Sequence, residues 1–258
     1  MITPQKMPVL FVGHGSPMNA IENNRFSREW SKLASQIPKP KAILSISAHW
    51  VTDGNSVNNQ KCPKTIYDMY GFPHELYEVA YAPPGAPELA SQTIRLLGDN
   101  TTIDNHWGID HGTWSVLNHM FPAADIPTVQ LSIDANASMK EHYQIGRKLQ
   151  SLRTQGVLIM GSGNIVHNLS LVDWGNPGGD QWAVEFDQYI KQNILDHNHE
   201  KVVDYQLVGS PSRRAFYTTE HYVPLLVALG SSTAEDSIHI FNDECIMGSI
   251  SMTGYLFG

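Results

Sequence analysis

Residues 9–17 read Val-Leu-Phe-Val-Gly-His-Gly-Ser-Pro. Val9 to Val12 form a short continuous apolar run, the pattern of a parallel strand buried on both faces. The run stops at Gly13. A glycine on each side of His14 lets the backbone turn sharply and leaves room around the imidazole. Pro17 then holds Ser16 away from the helical region. His14 is therefore predicted at the carboxyl end of a strand, the edge where open α/β sheets bind ligands. Taken alone, Gly-His-Gly is equally a turn around a structural histidine.

Residues 42–50, Ala-Ile-Leu-Ser-Ile-Ser-Ala-His-Trp, repeat the pattern and place His49 at the end of a second buried strand. Between the two runs, Phe26, Trp30, Leu33 and Ile37 fall at helical spacing in residues 21–38. Asn23 or Asn24 can cap the start, and Pro38 and Pro40 stop the helix. A β-α-β unit of this kind brings the carboxyl ends of both strands to the same side.

Working outward, residues 126–133 and 156–160 read as further core strands, and 237–242 and 248–257 as closing ones. Residues 86–98, 112–120, 138–153, 181–197 and 216–229 read as helices. Thr218 or Thr219 is the candidate cap of the last of these, which puts His221 in its first turn and ends it at Gly230. No linker, repeat or low-complexity tract interrupts the 258 residues. The expected architecture is α/β: one domain over 1–258, with a central mixed, mostly parallel sheet flanked by helices. A metal site is expected at the carboxyl ends of its strands.

The net charge of −8 disfavours nucleic acid and anionic membranes as partners. Two cysteines without CxxC spacing imply no disulfide framework, and no apolar run is long enough to span a bilayer. A cytoplasmic location is expected; oligomeric state is not legible. The 12 histidines point to metal binding or acid–base work. Five of them recur at predicted element ends: His14, His49, His111, His167 and His221. Three neutral imidazoles on one strand edge suit a divalent transition metal with open positions for substrate. His119 reads as structural, His142 as part of a solvated face, and His197 and His199 as surface residues. Gly161-Ser162-Gly163 lacks the full spacing of a phosphate-binding loop. Residues 66–85, carrying Tyr67, Tyr70 and Phe72, read as a long aromatic loop that either tucks onto the surface or walls a pocket for a flat ligand.

Six ordered blocks carry a resemblance across essentially the whole chain. They are GHGSPMN at 13–19, SAHW at 47–50, YGFP at 70–73, HGTW at 111–114, GSGNIVHNL at 161–169 and TEHYVPLL at 219–226. Together they resemble the class III extradiol ring-cleavage dioxygenases, in particular the 4,5-DOPA dioxygenase subgroup related to the catalytic subunit of protocatechuate 4,5-dioxygenase. The resemblance implies that His14, His49 and His221 are metal ligands. It implies that His167 is the acid–base residue and in some members a fourth ligand, and that His111 contacts substrate, donating to a phenolic oxygen. The wider class uses two histidines and a carboxylate; here Glu220 is offset by one residue from His221. The implied reaction opens a small catechol such as DOPA with O2. Fe2+ is the expected metal for that activity, and Zn2+ would also suit three histidines. Tyr67, Tyr70 and Phe72 and the Trp107–Trp114 segment would supply flat walls. Read without the resemblance, the same histidines would also serve a zinc hydrolase or a non-catalytic metal-binding module.

Overall fold

Val9–Gly13 forms the first strand, β1, as its apolar run predicts. In the computed structural model the described residues are 6–258, so residues 1–5 of the expected 1–258 domain lie outside them. The remaining strands are β2 (Ala42–Thr52), β3 (Asn55–Val57), β4 (Thr101–Ile103), β5 (Thr128–Asp134), β6 (Val157–Gly163), β7 (Ile238–Phe241), β8 (Cys245–Ile246), β9 (Ile250–Ser251) and β10 (Gly254–Phe257). Eight of them form one sheet in the order β4-β3-β5-β2-β6-β1-β10-β7, while β8 and β9 pair with each other. The centre, β5-β2-β6-β1, is parallel throughout. β3 runs antiparallel to β5, and β10 antiparallel to β1, which makes the sheet mixed.

The helices are α1 (Arg25–Gln36), α2 (Pro87–Leu97), α3 (His111–Met120), α4 (Met139–Leu149), α5 (Gln181–Leu195), α6 (His199–Val203), α7 (Ser212–Ala215) and α8 (Val223–Ser231). Alternation along the strands decides which helices cover which face. Leu10, Val12, Leu158 and Met160 pack with Trp30 and Leu33 of α1 and Trp114 and Leu117 of α3. Val9, Phe11, Leu44 and Ile159 pack on the opposite face with Leu149 of α4, Ile190 of α5 and Leu225 of α8. Parallel strands covered on both faces need this uninterrupted apolar sequence. Asn24 starts α1: its side chain accepts from the Phe26 and Ser27 amides, and the Ser27 hydroxyl answers the Asn24 amide.

Several expectations are corrected. The last helix begins at Val223, not near Thr218, because Pro224 occupies its first turn, where the missing N–H costs nothing. His221 therefore sits in the turn before the helix, and the helix runs through Gly230 to Ser231. The closing strand expected over 248–257 is split into β9 and β10. β3 and β4 lie outside the predicted strands. His142 is buried rather than solvated; its neighbour Glu141 is polar because it closes the capping box with Ser138.

Arg153, fully buried, ties the amino- and carboxyl-terminal segments together. It pairs with both carboxylate oxygens of Asp236 at 2.6 and 2.9 Å and donates to the Met7 carbonyl at 2.7 Å. No described helix is long and apolar enough to cross a membrane.

Candidate metal centre

The carboxyl ends of β1, β2 and β6 open into one cavity of about 660 Å³, and the expected histidines meet there. His14 follows β1 directly, and its amide donates to the Gly163 carbonyl at the end of β6. His49 lies inside β2, not at its end. The register of β2 against β5 shifts between Ile46 and Val51, and that irregularity spans His49. Bulges of this sort re-aim a side chain without ending the strand. His221 is carried to the cluster by contact with β6: the Asn164 amide donates to its carbonyl at 2.9 Å. Gly163 makes that approach possible, since a Cβ there would lie 2.1 Å from the His221 carbonyl oxygen. The glycines at 161–163 thus serve backbone packing. Gly112 has a similar role, because a Cβ on it would come within 2.9 Å of the His49 ring.

One ring nitrogen from each of His14, His49 and His221 lies within 4.8 Å of the other two. The Nε2 atoms of His14 and His49 are 3.1 Å apart. Two nitrogens each about 2.1 Å from one ion would lie about 3.0–3.4 Å apart.

The partners on the far side of each ring fix which nitrogen faces inward. The Ser162 hydroxyl donates to the Gly112 carbonyl at 2.5 Å, so its oxygen accepts from His14 Nδ1, 3.0 Å away. His49 Nδ1 is 3.3 Å from Asp68 Oδ2, and His221 Nδ1 is 3.3 Å from Glu220 Oε1. These contacts suit the tautomer with the proton on Nδ1, which leaves a lone pair on each Nε2. His221 Nε2 is buried and has no hydrogen-bond partner among the described residues. Lone pairs crowded together out of water are costly unless something positive sits between them. Such oriented imidazoles are what a divalent metal requires of its ligands.

Electrostatics keep the set neutral. Burial first, then the neighbouring histidines, holds His14 and His221 well below the usual imidazole range. Burial and His111 push His49 down to about 3. Burial lowers His167 to about 4, with Glu220 opposing. His167 stacks flat on His221, ring centroids 3.5 Å apart and planes 7° apart, over the edge of the cluster. His111 lies 3.9 Å from His49, centroid to centroid. Asp68 binds His111 twice, accepting from its backbone amide at 3.1 Å and from Nδ1 at 2.9 Å. Burial alone would raise the Asp68 carboxyl; the hydrogen bonds and charge of His111, with His49, bring it down instead. With Nδ1 held by Asp68, Nε2 is the His111 nitrogen left to face the cavity.

The walls differ from expectation. Tyr70 and Phe72 line the cavity. Tyr67 does not; its hydroxyl donates to the Val79 carbonyl and its ring packs on Tyr77. Trp107 stacks on Trp50, and the Trp114 indole donates to the Ile66 carbonyl, so both are used in packing. The missing walls come chiefly from Trp174 and Met247, in loops with no periodic signal, and from Ile250 of β9. Asp68, Ser162 and Glu220 carry the second layer of contacts. Of these, only Glu220 stood out in the sequence, as a possible ligand. His119 contacts the Asn19 carbonyl, in keeping with a structural role.

Comparison with known proteins supports the same grouping. A family profile described as the catalytic LigB subunit of aromatic ring-opening dioxygenase matches residues 8–257. The chain is 41% identical to a protein named 4,5-DOPA dioxygenase extradiol from Escherichia coli K12, over all of this chain and 97% of that one. It is 37% identical to a Beta vulgaris protein of the same name, over 96% and 95% of the two chains. The crystal structure of the uncharacterized Escherichia coli K12 protein JW3007 superposes with a TM-score of 0.86 at 40% identity, covering 98% of this chain and all of that one.

Proposed function

The chain belongs to the family of the catalytic LigB subunit of aromatic ring-opening dioxygenase, and from that premise we propose that it opens a small catechol, of the DOPA type, outside the diol. The observation that carries the reading is the convergence of one ring nitrogen from each of His14, His49 and His221, each ring with a contact at its Nδ1. His14, His49 and His221 would hold one divalent metal, Fe2+ for this activity. A metal bound there would supply O2 activation.

The other groups act around that centre. His167 is uncharged at neutral pH and can take a phenolic proton, then return it as the ring opens. His111, locked by Asp68 at Nδ1, orients the diol through its Nε2. The apolar walls keep bulk water from the reacting carbons. In the balanced reaction, the carbon–carbon bond beside the diol breaks and both atoms of O2 enter the product, leaving an aldehyde and a carboxylate. Both cysteines are unpaired, which suits the reducing cytoplasm.

The test is metal stoichiometry on protein loaded anaerobically with Fe2+, followed by oxygen and a catechol. One metal per chain and a yellow ring-opened product are expected. Metal-dependent hydrolysis without oxygen uptake would overturn the reading.

A further inference from the structure

The geometry points to a substrate whose catechol ring carries a cationic side chain, with Glu220 and the aromatic rim of the cavity as the recognition subsite. This rests on the ring-opening reading and asks what the rest of the cavity is for.

The cavity of about 660 Å³ lies in the range of sites for drug-sized ligands, about 300–1,000 Å³, and a bare catechol leaves much of it unused. Its polar end is the histidine cluster, which fixes where the diol sits. A ring substituent then extends toward the mouth. Tyr70, Phe72 and Trp174 line the cavity, and the 89% and 83% exposure of Tyr70 and Trp174 puts those two at its opening. Among the described residues that line the cavity there is no lysine and no arginine, and Glu220 is the one carboxylate.

That inventory discriminates between substituents. A catechol acid would bring its carboxylate to a cavity with no cation to receive it and with Glu220 repelling it. A zwitterionic amino-acid side chain would find a partner for its ammonium and none for its carboxylate. An amine lacking a carboxylate would find both a counter-charge and aromatic faces, which attract cations through the ring quadrupole. Only one Glu220 oxygen faces His221 Nδ1, at 3.3 Å, so the carboxylate keeps acceptor capacity for a ligand. Asp68, close behind the cluster, adds a second negative charge. A divalent metal and a doubly deprotonated diol offset one another, so the substituent responds chiefly to these groups. The net charge of −8 favours approach of cations from a distance.

The experiment measures binding and turnover separately on the metal-loaded protein. Anaerobic calorimetry gives Kd for dopamine, DOPA, 4-methylcatechol and 3,4-dihydroxyphenylacetate, and oxygen uptake gives kcat/KM for the same four. Dopamine should bind about tenfold more tightly than 4-methylcatechol, and the acid about tenfold more weakly. Glu220→Gln keeps an amide oxygen for His221 and should compress the dopamine-to-acid ratio about tenfold. Trp174→Ala, remote from the metal ligands in sequence, should weaken dopamine more than 4-methylcatechol. Equal affinities across the panel, or preference for the acid, would overturn the proposal; so would a Glu220→Gln variant that weakens all four alike. If Glu220→Gln loses metal, the wild-type ranking and Trp174→Ala decide the question. Binding in the expected order without oxygen uptake from any diol would retain the subsite and reject ring opening. Oxygen uptake with the wrong order would do the reverse.

Discussion

His167 and Asp68 show how little contact is needed to assign separate jobs to side chains in one cluster. His167 stacks on His221. His167→Ala should retain most metal binding and lose about 10²–10⁴-fold in kcat, the usual contribution of a general acid–base. Metal content and rate measured on the same sample check this; near-total metal loss would make His167 a ligand instead. Asp68 touches both His111 and His49. Asp68→Asn removes the charge that holds two imidazoles, and metal affinity should fall about 10–100-fold, as for other groups that orient ligands. Competition with a chelator measures it, and unchanged affinity would show that His49 needs no such support. His14 and His49 were legible as candidates because each ends or interrupts an apolar run. Asp68 and Ser162 were not, because their partners lie 43 and 148 residues away in sequence and no local pattern encodes such a contact.

At the scale of elements, the junction of β6 with the turn before α8 decides where His221 goes. Pro224 delays the helix, and Gly163 lets the His221 backbone lie against the strand. Gly163→Ala should therefore displace His221, lowering metal affinity at least about tenfold and stability by about 1–3 kcal/mol. Thermal melts and metal titration of the variant test this, and normal metal binding would sink the packing argument. Thr218 and Thr219 have the chemistry of caps, but Pro224, five residues beyond Thr219, sets the start of α8. The aromatic segments were misread for a related reason. Tyr67 and Trp114 have the right chemistry for a pocket wall, but their polar groups are satisfied by carbonyls elsewhere. Trp174, in a glycine-rich loop without periodicity, had no signal of its own.

For the whole molecule, the parallel centre of the sheet was legible from four apolar runs, because strands buried on both faces leave that mark. The short flanking strands β3 and β4 have no such mark, since three residues are too few to show a period. The buried pair of Arg153 and Asp236 fastens the two ends of the chain together. Burial would raise the Asp236 carboxyl, but hydrogen bonds from Arg153, Lys6 and the Thr233 amide outweigh it and bring it from 3.8 to about 2. A carboxyl lowered on folding stabilises fully above its unfolded value and loses that effect as pH falls through the folded one. Stability should thus decline between about pH 4 and pH 2 through this group, and Asp236→Asn should flatten that part of the profile. The variant should also cost about 3–5 kcal/mol at pH 7, because Arg153 is left buried without its counter-charge. Chemical denaturation across the acid range checks both effects, and an unchanged acid limb would remove Asp236 from the account.

Ring opening of a catechol by O2 on this chain would depend on His14, His49 and His221. The most direct measurement is mass spectrometry of the product formed by Fe2+-loaded protein from a catechol under ¹⁸O₂, together with oxygen consumption. One O2 consumed per catechol and two labelled oxygens in a ring-opened product are expected, with both lost in His14→Ala. A product carrying one label or none, or a His14→Ala variant that turns over normally, would contradict the claim.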